Sequence, residues 1–207
     1  MRKLMLVALF LVFPETLSAQ EAPKAEVYGG YSFANVQLLG SDRSNANGWN
    51  ASVSVNLNRW FGLVTDFGGL YGASSSVTFT SIVVPCTTPP CQTQQVVETF
   101  DGKAHTFLFG PRFTLRREKL SPFAHVLLGG ARLNSTTTLF FPVPPGIPNR
   151  FSSSNFAFAM ALGGGVDYKF RDRWAWRVQT DYLQSGFFTA TQNNFRLSTG
   201  LVFHFGK

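Results

Sequence analysis

The hydrophobic pattern of this chain has a period of two. From Trp49 to Leu57, the residues Trp49, Ala51, Val53, Val55 and Leu57 fall on one face. Asn50, Ser52, Ser54 and Asn56 fall on the other. Successive side chains of a strand point to opposite faces, so this stretch predicts a strand between an apolar medium and a polar space. Ala25–Asn35 sets Val27, Tyr31 and Phe33 against Glu26, Tyr28 and Ser32, and Gly62–Gly72 sets Leu63, Phe67 and Tyr71 against Asp66 and Gly68. Ala104–Leu115 sets Phe107, Phe109, Phe113 and Leu115 against Thr106, Arg112 and Thr114. Pro122–Leu133 reads with Phe123, Leu127 and Leu133 on the apolar face and Ala124, Gly130 and Arg132 opposite. Phe156–Phe170 sets its aromatic residues with Met160, Leu162 and Val166 against Ala157, Ala159, Asp167 and Lys169. Trp174–Leu183 sets Trp174, Trp176, Val178 and Tyr182 against Arg177, Gln179 and Asp181. Phe195–Phe205 sets Phe195, Leu197, Leu201, Phe203 and Phe205 against Arg196, Ser198 and His204.

These are eight candidate strands. Each is near the ~9–11 residues that a tilted membrane strand needs. An even number lets an antiparallel sheet close on itself and lose its edges. The connections alternate in length: 39–47 medium, 58–60 short, 74–102 long, 116–121 short, 134–155 long, 171–173 short and 184–193 medium. Long outer loops with short periplasmic turns are the pattern of outer-membrane barrels. The expectation is an all-β, eight-stranded antiparallel transmembrane barrel with both termini periplasmic. Val77, Phe79 and Val83 also alternate, so the second loop is expected to continue as a hairpin above the membrane.

Composition agrees. Charged residues make up 14% of the chain, against about 25% in a typical soluble domain. The mean hydropathy of +0.04 excludes a helical membrane protein, whereas a barrel averages its two faces toward zero. Arg2 and Lys3 precede the apolar run Leu4–Phe13, and Leu17-Ser18-Ala19 ends in a small residue. The apolar run is too short to span a bilayer as a helix, so this predicts a signal peptide over 1–19 and a barrel domain over 20–207 in the outer membrane after export. The formal charge is +7, but Lys and Arg are scattered without a dense patch, so nucleic acid is not expected. Outer-membrane lipid and anionic lipopolysaccharide are the expected partners. Cys86 and Cys91, in Cys-Thr-Thr-Pro-Pro-Cys, are expected to form a disulfide beyond the inner membrane.

No catalytic, metal or cofactor site can be named. His105 and His125 fall on the lipid-facing register and His204 on the inner one, and none has a Ser and a carboxylate at a persuasive spacing. Two cysteines without nearby donors do not make a metal site. Trp49, Trp60, Trp174, Trp176, Tyr71 and Tyr182 lie near strand ends and read as an aromatic girdle. Phe140 and Phe141 stand in the third loop. Gly163-Gly164-Gly165 lies inside a strand, where glycine marks bending or close packing.

The inner face carries the informative charges: Glu26, Asp66, Asp167 and Asp181 with Arg112, Arg132, Lys169, Arg177 and Arg196. An eight-stranded barrel is only wide enough for its side chains to fill, so these charges are expected to pair as a polar plug. The alternative is a narrow gated channel for small solutes or ions, with a pair such as Asp181 and Arg177 exchanging partners. A further alternative is a soluble lipocalin-like carrier, which would point the aromatic face inward.

The last strand reads Ser198-Thr199-Gly200-Leu201-Val202-Phe203-His204-Phe205. Its Ser198, Gly200, Phe203 and Phe205 resemble the signal by which the barrel assembly machinery recognises its clients, although Gly206 and Lys207 trail the final aromatic. The other motifs are Val27-Tyr28-Gly29-Gly30-Tyr31-Ser32, Pro122-Phe123-Ala124-His125, Ala161-Leu162-Gly163-Gly164-Gly165-Val166-Asp167 and Gln192-Asn193-Asn194-Phe195-Arg196-Leu197-Ser198. With these, the mature chain resembles the outer-membrane β-barrel domain family, similar to the eight-stranded barrels of outer membrane proteins A and X. The resemblance implies a fold and a membrane. It implies little about activity, because the family hosts anchors, adhesins and narrow pores. A structural or surface-interaction role without catalysis is expected, with any surface ligand held by the outer loops.

Overall fold

The computed structural model describes residues 23–37, 43–82, 93–140, 149–187 and 190–206. The proposed signal peptide and the Cys86–Cys91 pair lie outside these residues, as does Phe141.

Eight strands form one closed antiparallel barrel: β1 (Ala25–Gln37), β2 (Arg43–Asn56), β3 (Phe61–Ile82), β4 (Thr93–Thr114), β5 (Leu120–Phe140), β6 (Arg150–Arg171), β7 (Trp174–Phe187) and β8 (Ala190–Phe205). Each strand pairs with its sequence neighbours, and β1 closes on β8 with Ala25 opposite Phe205. The first and last strands therefore place residues 25 and 205 side by side at one end. Among the described residues no helix is long and apolar enough to cross a membrane.

The strands are longer than the alternation alone implies. β3, β4 and β6 have 22 residues each and β5 has 21. That is roughly ten residues beyond what a bilayer needs. The segments read as loops at 74–102 and 134–155 are therefore mostly strand. Val77 pairs with Glu98, and Ile82 pairs with Thr93. On the next hairpin Thr138 pairs with Arg150. A register shift between Leu70 and Ala73 marks where β3 runs on past its last pair with β2, Tyr71 with Asn47, and Gly72 there takes a φ of 81°, which a side chain would strain.

The outward residues form an apolar belt. On β4 it runs Phe113, Phe109, Phe107, with Leu115 just past the strand end, and on β6 Phe170, Tyr168, Val166, Leu162, Phe158, Phe156, all exposed. Beyond Phe107 comes His105, beyond Phe156 comes Ser154, and on β1 Asn35 follows Phe33. The belt is thus bounded on the side away from the termini. Its girdle is hydrogen-bonded there: Trp49 Nε1 donates to the Tyr71 hydroxyl at 3.2 Å, and the Tyr31 hydroxyl donates to Asn47 Oδ1.

β5 has the opposite phase from the one its pattern predicts. Phe123, His125, Leu127, Ala131 and Leu133 are buried inside, while Val126, Leu128 and Arg132 are exposed outside. The inner wall of the barrel's far half is itself apolar, with Leu108, Leu127, Leu133 and Leu183 packed together. Hydrophobicity alone therefore does not distinguish the two faces of this strand.

Candidate functional site

The lumen holds two stacked ion-pair clusters. The first, nearer the termini, is built on Glu26 of β1. Arg112 Nη1 donates to Glu26 Oε2 at 2.9 Å and its Nη2 to Asp167 Oδ2 at 3.0 Å. Arg177 Nε reaches Asp167 Oδ1 at 2.7 Å, and its Nη2 reaches Glu26 Oε2 at 3.3 Å. Arg116 caps the other oxygen of Glu26 at 2.8 Å. Phe123 lies against the two central arginines, with its ring centroid 4.1 Å from the guanidinium carbon of Arg112 and 4.6 Å from that of Arg177. The ring face attracts both cations in a desolvated setting.

The second cluster lies farther along the lumen. Arg196 Nη2 bridges Asp181 Oδ2 at 2.8 Å and Asp66 Oδ1 at 3.0 Å. His125 Nε2 lies 2.7 Å from the other oxygen of Asp181. Asn50 donates to Asp66 at 2.8 Å, and Gln179 donates to Asn50 Oδ1 at 3.0 Å, so the amides tie the carboxylates into one network. Four arginines (112, 116, 177, 196) face four carboxylates (26, 66, 167, 181) across both clusters. That balance is what lets the charges persist out of water, where an unpaired ion costs several kcal/mol. Gly163 makes room for it: a Cβ there would lie 2.0 Å from Asp181 Oδ1.

Above the second cluster the lumen turns apolar. Val36, Leu70, Ala73, Phe100, Leu133 and Leu183 line a narrow cavity there.

Of the charged residues read as lumenal, Glu26, Asp66, Arg112, Asp167, Arg177, Asp181 and Arg196 are buried together. Lys169 is on the inner register but half-buried at the terminal rim, and forms no ion pair among the described residues. Arg132 is outside the barrel, because β5 runs in the opposite phase; its Nε donates to Ser154 Oγ at 3.0 Å. For the same reason His125 is inside instead of facing lipid. Asp181 does not pair with Arg177; each has its own partners. Sequence reading missed Arg116, assigned to a turn, and the lumenal roles of His125 and Phe123. The Pro-Phe-Ala-His run holds the signal: His125 lies within the span of the apolar belt, where an outward imidazole would face lipid.

In the last strand, Ser198 is buried and its hydroxyl lies 3.0 Å from that of Ser32. A Cβ on Gly200 would meet Gly29 O at 2.2 Å, and Phe203 packs edge-on against Trp174 and Phe205 at 4.9 and 4.6 Å. Among the described residues no group of three His, Cys, Asp or Glu could hold a metal ion.

The sequence matches the profile of the outer membrane protein beta-barrel domain over residues 4–205. Among solved structures, the chain is similar to Neisserial surface protein A, with a TM-score of 0.60 at 12% identity over 90% of this chain and 100% of that one. It is also similar to Ail, the attachment invasion locus protein of Yersinia pestis, with a TM-score of 0.54 at 17% identity over 88% of this chain and 99% of that one. At such identities the likeness is one of fold. No curated protein matches the sequence. With a profile match spanning nearly the whole chain and a closed eight-stranded barrel around a charged lumen, the protein belongs to the outer membrane protein beta-barrel domain family.

Proposed function

We propose that this barrel is a closed outer-membrane scaffold that presents its two long hairpins at the cell surface, with both termini in the periplasm. The ion-pair plug carries this reading. Arg112, Arg177 and Arg196 are each 1% exposed, with their carboxylate partners buried beside them. A solute path would have to break several charge-assisted bonds at once. The β3–β4 and β5–β6 hairpins extend well beyond the apolar belt, which suits contact with a surface ligand. Ail, in a complex with the heparin analogue sucrose octasulfate, illustrates such contact in another barrel of this fold. Export through the segment 1–19 and recognition of Ser198, Gly200, Phe203 and Phe205 by the assembly machinery complete the route to the membrane. A disulfide between Cys86 and Cys91 would stiffen the tip between β3 and β4. The role proposed is structural and surface-directed, without catalysis.

The test is conductance of the refolded protein in planar bilayers, with heat-modifiable gel mobility showing that it is folded. Folded protein is expected to be silent. Reproducible steps from the wild-type barrel would overturn the closed-scaffold reading and favour the narrow channel. Solubility in plain buffer without detergent would overturn the membrane reading in favour of a ligand carrier.

A further inference from the structure

Arg132 faces outward at the edge of the apolar belt, and it is not alone. On β4, the paired residue across from it is His105, and Lys103 follows two positions farther from the termini on the same outward face. His105 Nε2 shares a hydrogen bond with the Tyr71 hydroxyl at 3.1 Å, and Trp49 donates to that hydroxyl in turn. Immediately toward the termini lie exposed Phe107 on β4 and Phe156 on β6, the residue paired with Arg132. The basic residues therefore begin where the apolar belt stops. A charge on the lipid face is costly at mid-bilayer and nearly free at the interface. Lys103 and Arg132 sit at the level where that cost vanishes and head groups begin.

We infer that Lys103, His105 and Arg132 form a seat for the phosphate of an outer-leaflet lipid, with its acyl chains lying on Phe107 and Phe156. This rests on the orientation proposed above, which puts this rim in the outer leaflet. Charge complementarity selects the occupant: a guanidinium and an ammonium at head-group height fit a phosphate oxyanion, and Arg offers it a two-pronged contact. Among the described residues neither Lys103 nor Arg132 is taken by a carboxylate. The nearest outward acid on β4 is Asp101, on the far side of Lys103 from Arg132. The bond to Ser154 uses Nε of Arg132 and ties its side chain to β6, where Ser154 pairs with Asn134 of β5.

The experiment is native mass spectrometry of the refolded barrel in detergent, titrated with bisphosphorylated lipid A and with its dephosphorylated form. The wild type is expected to hold the phosphorylated lipid at least tenfold more tightly. The double variant Lys103→Gln, Arg132→Gln should lose that preference while remaining heat-modifiable, and Arg150→Gln, farther up the hairpin, should keep it. No preference in the wild type, or a preference kept by the double variant, would overturn the seat. Orientation is read separately by labelling Ser152→Cys, in a Cys86→Ser, Cys91→Ser background, with an impermeant maleimide on intact cells. Absence of labelling would overturn the orientation and the outer-leaflet occupant with it. Labelling combined with lost preference in the wild type would overturn the seat alone.

Discussion

His125 Nε2 lies 2.7 Å from Asp181 Oδ1 inside the barrel, with the imidazole 4% exposed and the carboxylate fully buried. The contact joins β5 to β7, which share no edge, across the lumen. It completes the shell of Asp181, whose other oxygen takes Arg196 and Gln179. His125 is therefore a strut between two strands that do not pair, across the inner face of β6.

Replacing His125 with Leu keeps the volume but strips one oxygen of Asp181 of its donor. Leaving a buried acceptor unpaired costs about 1–3 kcal/mol, and more when it is charged. His125→Leu is expected to lower the urea midpoint of unfolding from lipid or detergent. His125→Gln, whose amide can donate to Asp181, should recover part of the loss. Equal midpoints for all three proteins would show that Asp181 does not depend on this donor.

Arg196 is the more consequential partner because it serves two carboxylates, Asp66 on β3 and Asp181 on β7. Arg196→Met leaves both acids buried with one cation fewer. Removing one partner of a buried pair typically costs 3–5 kcal/mol, so a loss of about that size is expected. Arg196→Lys keeps the charge but not the fork that lets Nε and Nη2 act together, and should fall between wild type and Met. The triple variant Arg196→Met, Asp66→Asn, Asp181→Asn removes both acids that Arg196 served, so no uncompensated carboxylate stays in the second cluster, and it should recover stability relative to Arg196→Met. Denaturation midpoints of the four proteins check the order.

The lumenal face is legible in the sequence where the two faces of a strand differ in polarity and illegible where they do not. In β2, Asn50, Ser52 and Ser54 alternate with Trp49, Val53 and Val55, so the inner face was unambiguous, and these three are buried. β5 offers Phe123 and Leu127 inside and Val126 and Leu128 outside, so one charged residue, Arg132, decided the phase wrongly. Arg132 lies beyond the belt, where outward charge is cheap, and so carried no information about the lumen. Which ion met which was also out of reach. Arg177 and Asp181 are neighbours on one face of β7 yet take partners from other strands, a choice set by barrel closure and not by sequence spacing. The hairpin arms were legible only in part, through the alternation of Val77 and Phe79. Polar runs such as Ser74-Ser75-Ser76 have no apolar face to read, although they pair with Asp101, Phe100 and Thr99.

Gly163 gives a test of how tightly the plug is fitted. It faces inward on β6 opposite Asp181 of β7. A Cβ at this position would lie 2.0 Å from Asp181 Oδ1 and 2.6 Å from Thr180 O. The first clash would push the carboxylate away from His125, and the second involves backbone that moves only if the strands part. Overpacking of this kind costs typically 1–3 kcal/mol. At Gly29 on the outer face of β1 a Cβ meets nothing within 4 Å. Gly163→Ala is therefore expected to unfold at a lower urea concentration and to yield less heat-modifiable protein, while Gly29→Ala stays within about 0.5 kcal/mol of wild type. Adding His125→Leu to Gly163→Ala separates the two clashes. If the displaced carboxylate is the main cost, the double variant loses less than the sum of the single losses, because Asp181 no longer has a contact to His125 to lose. Strict additivity would assign the cost to the backbone at Thr180 instead.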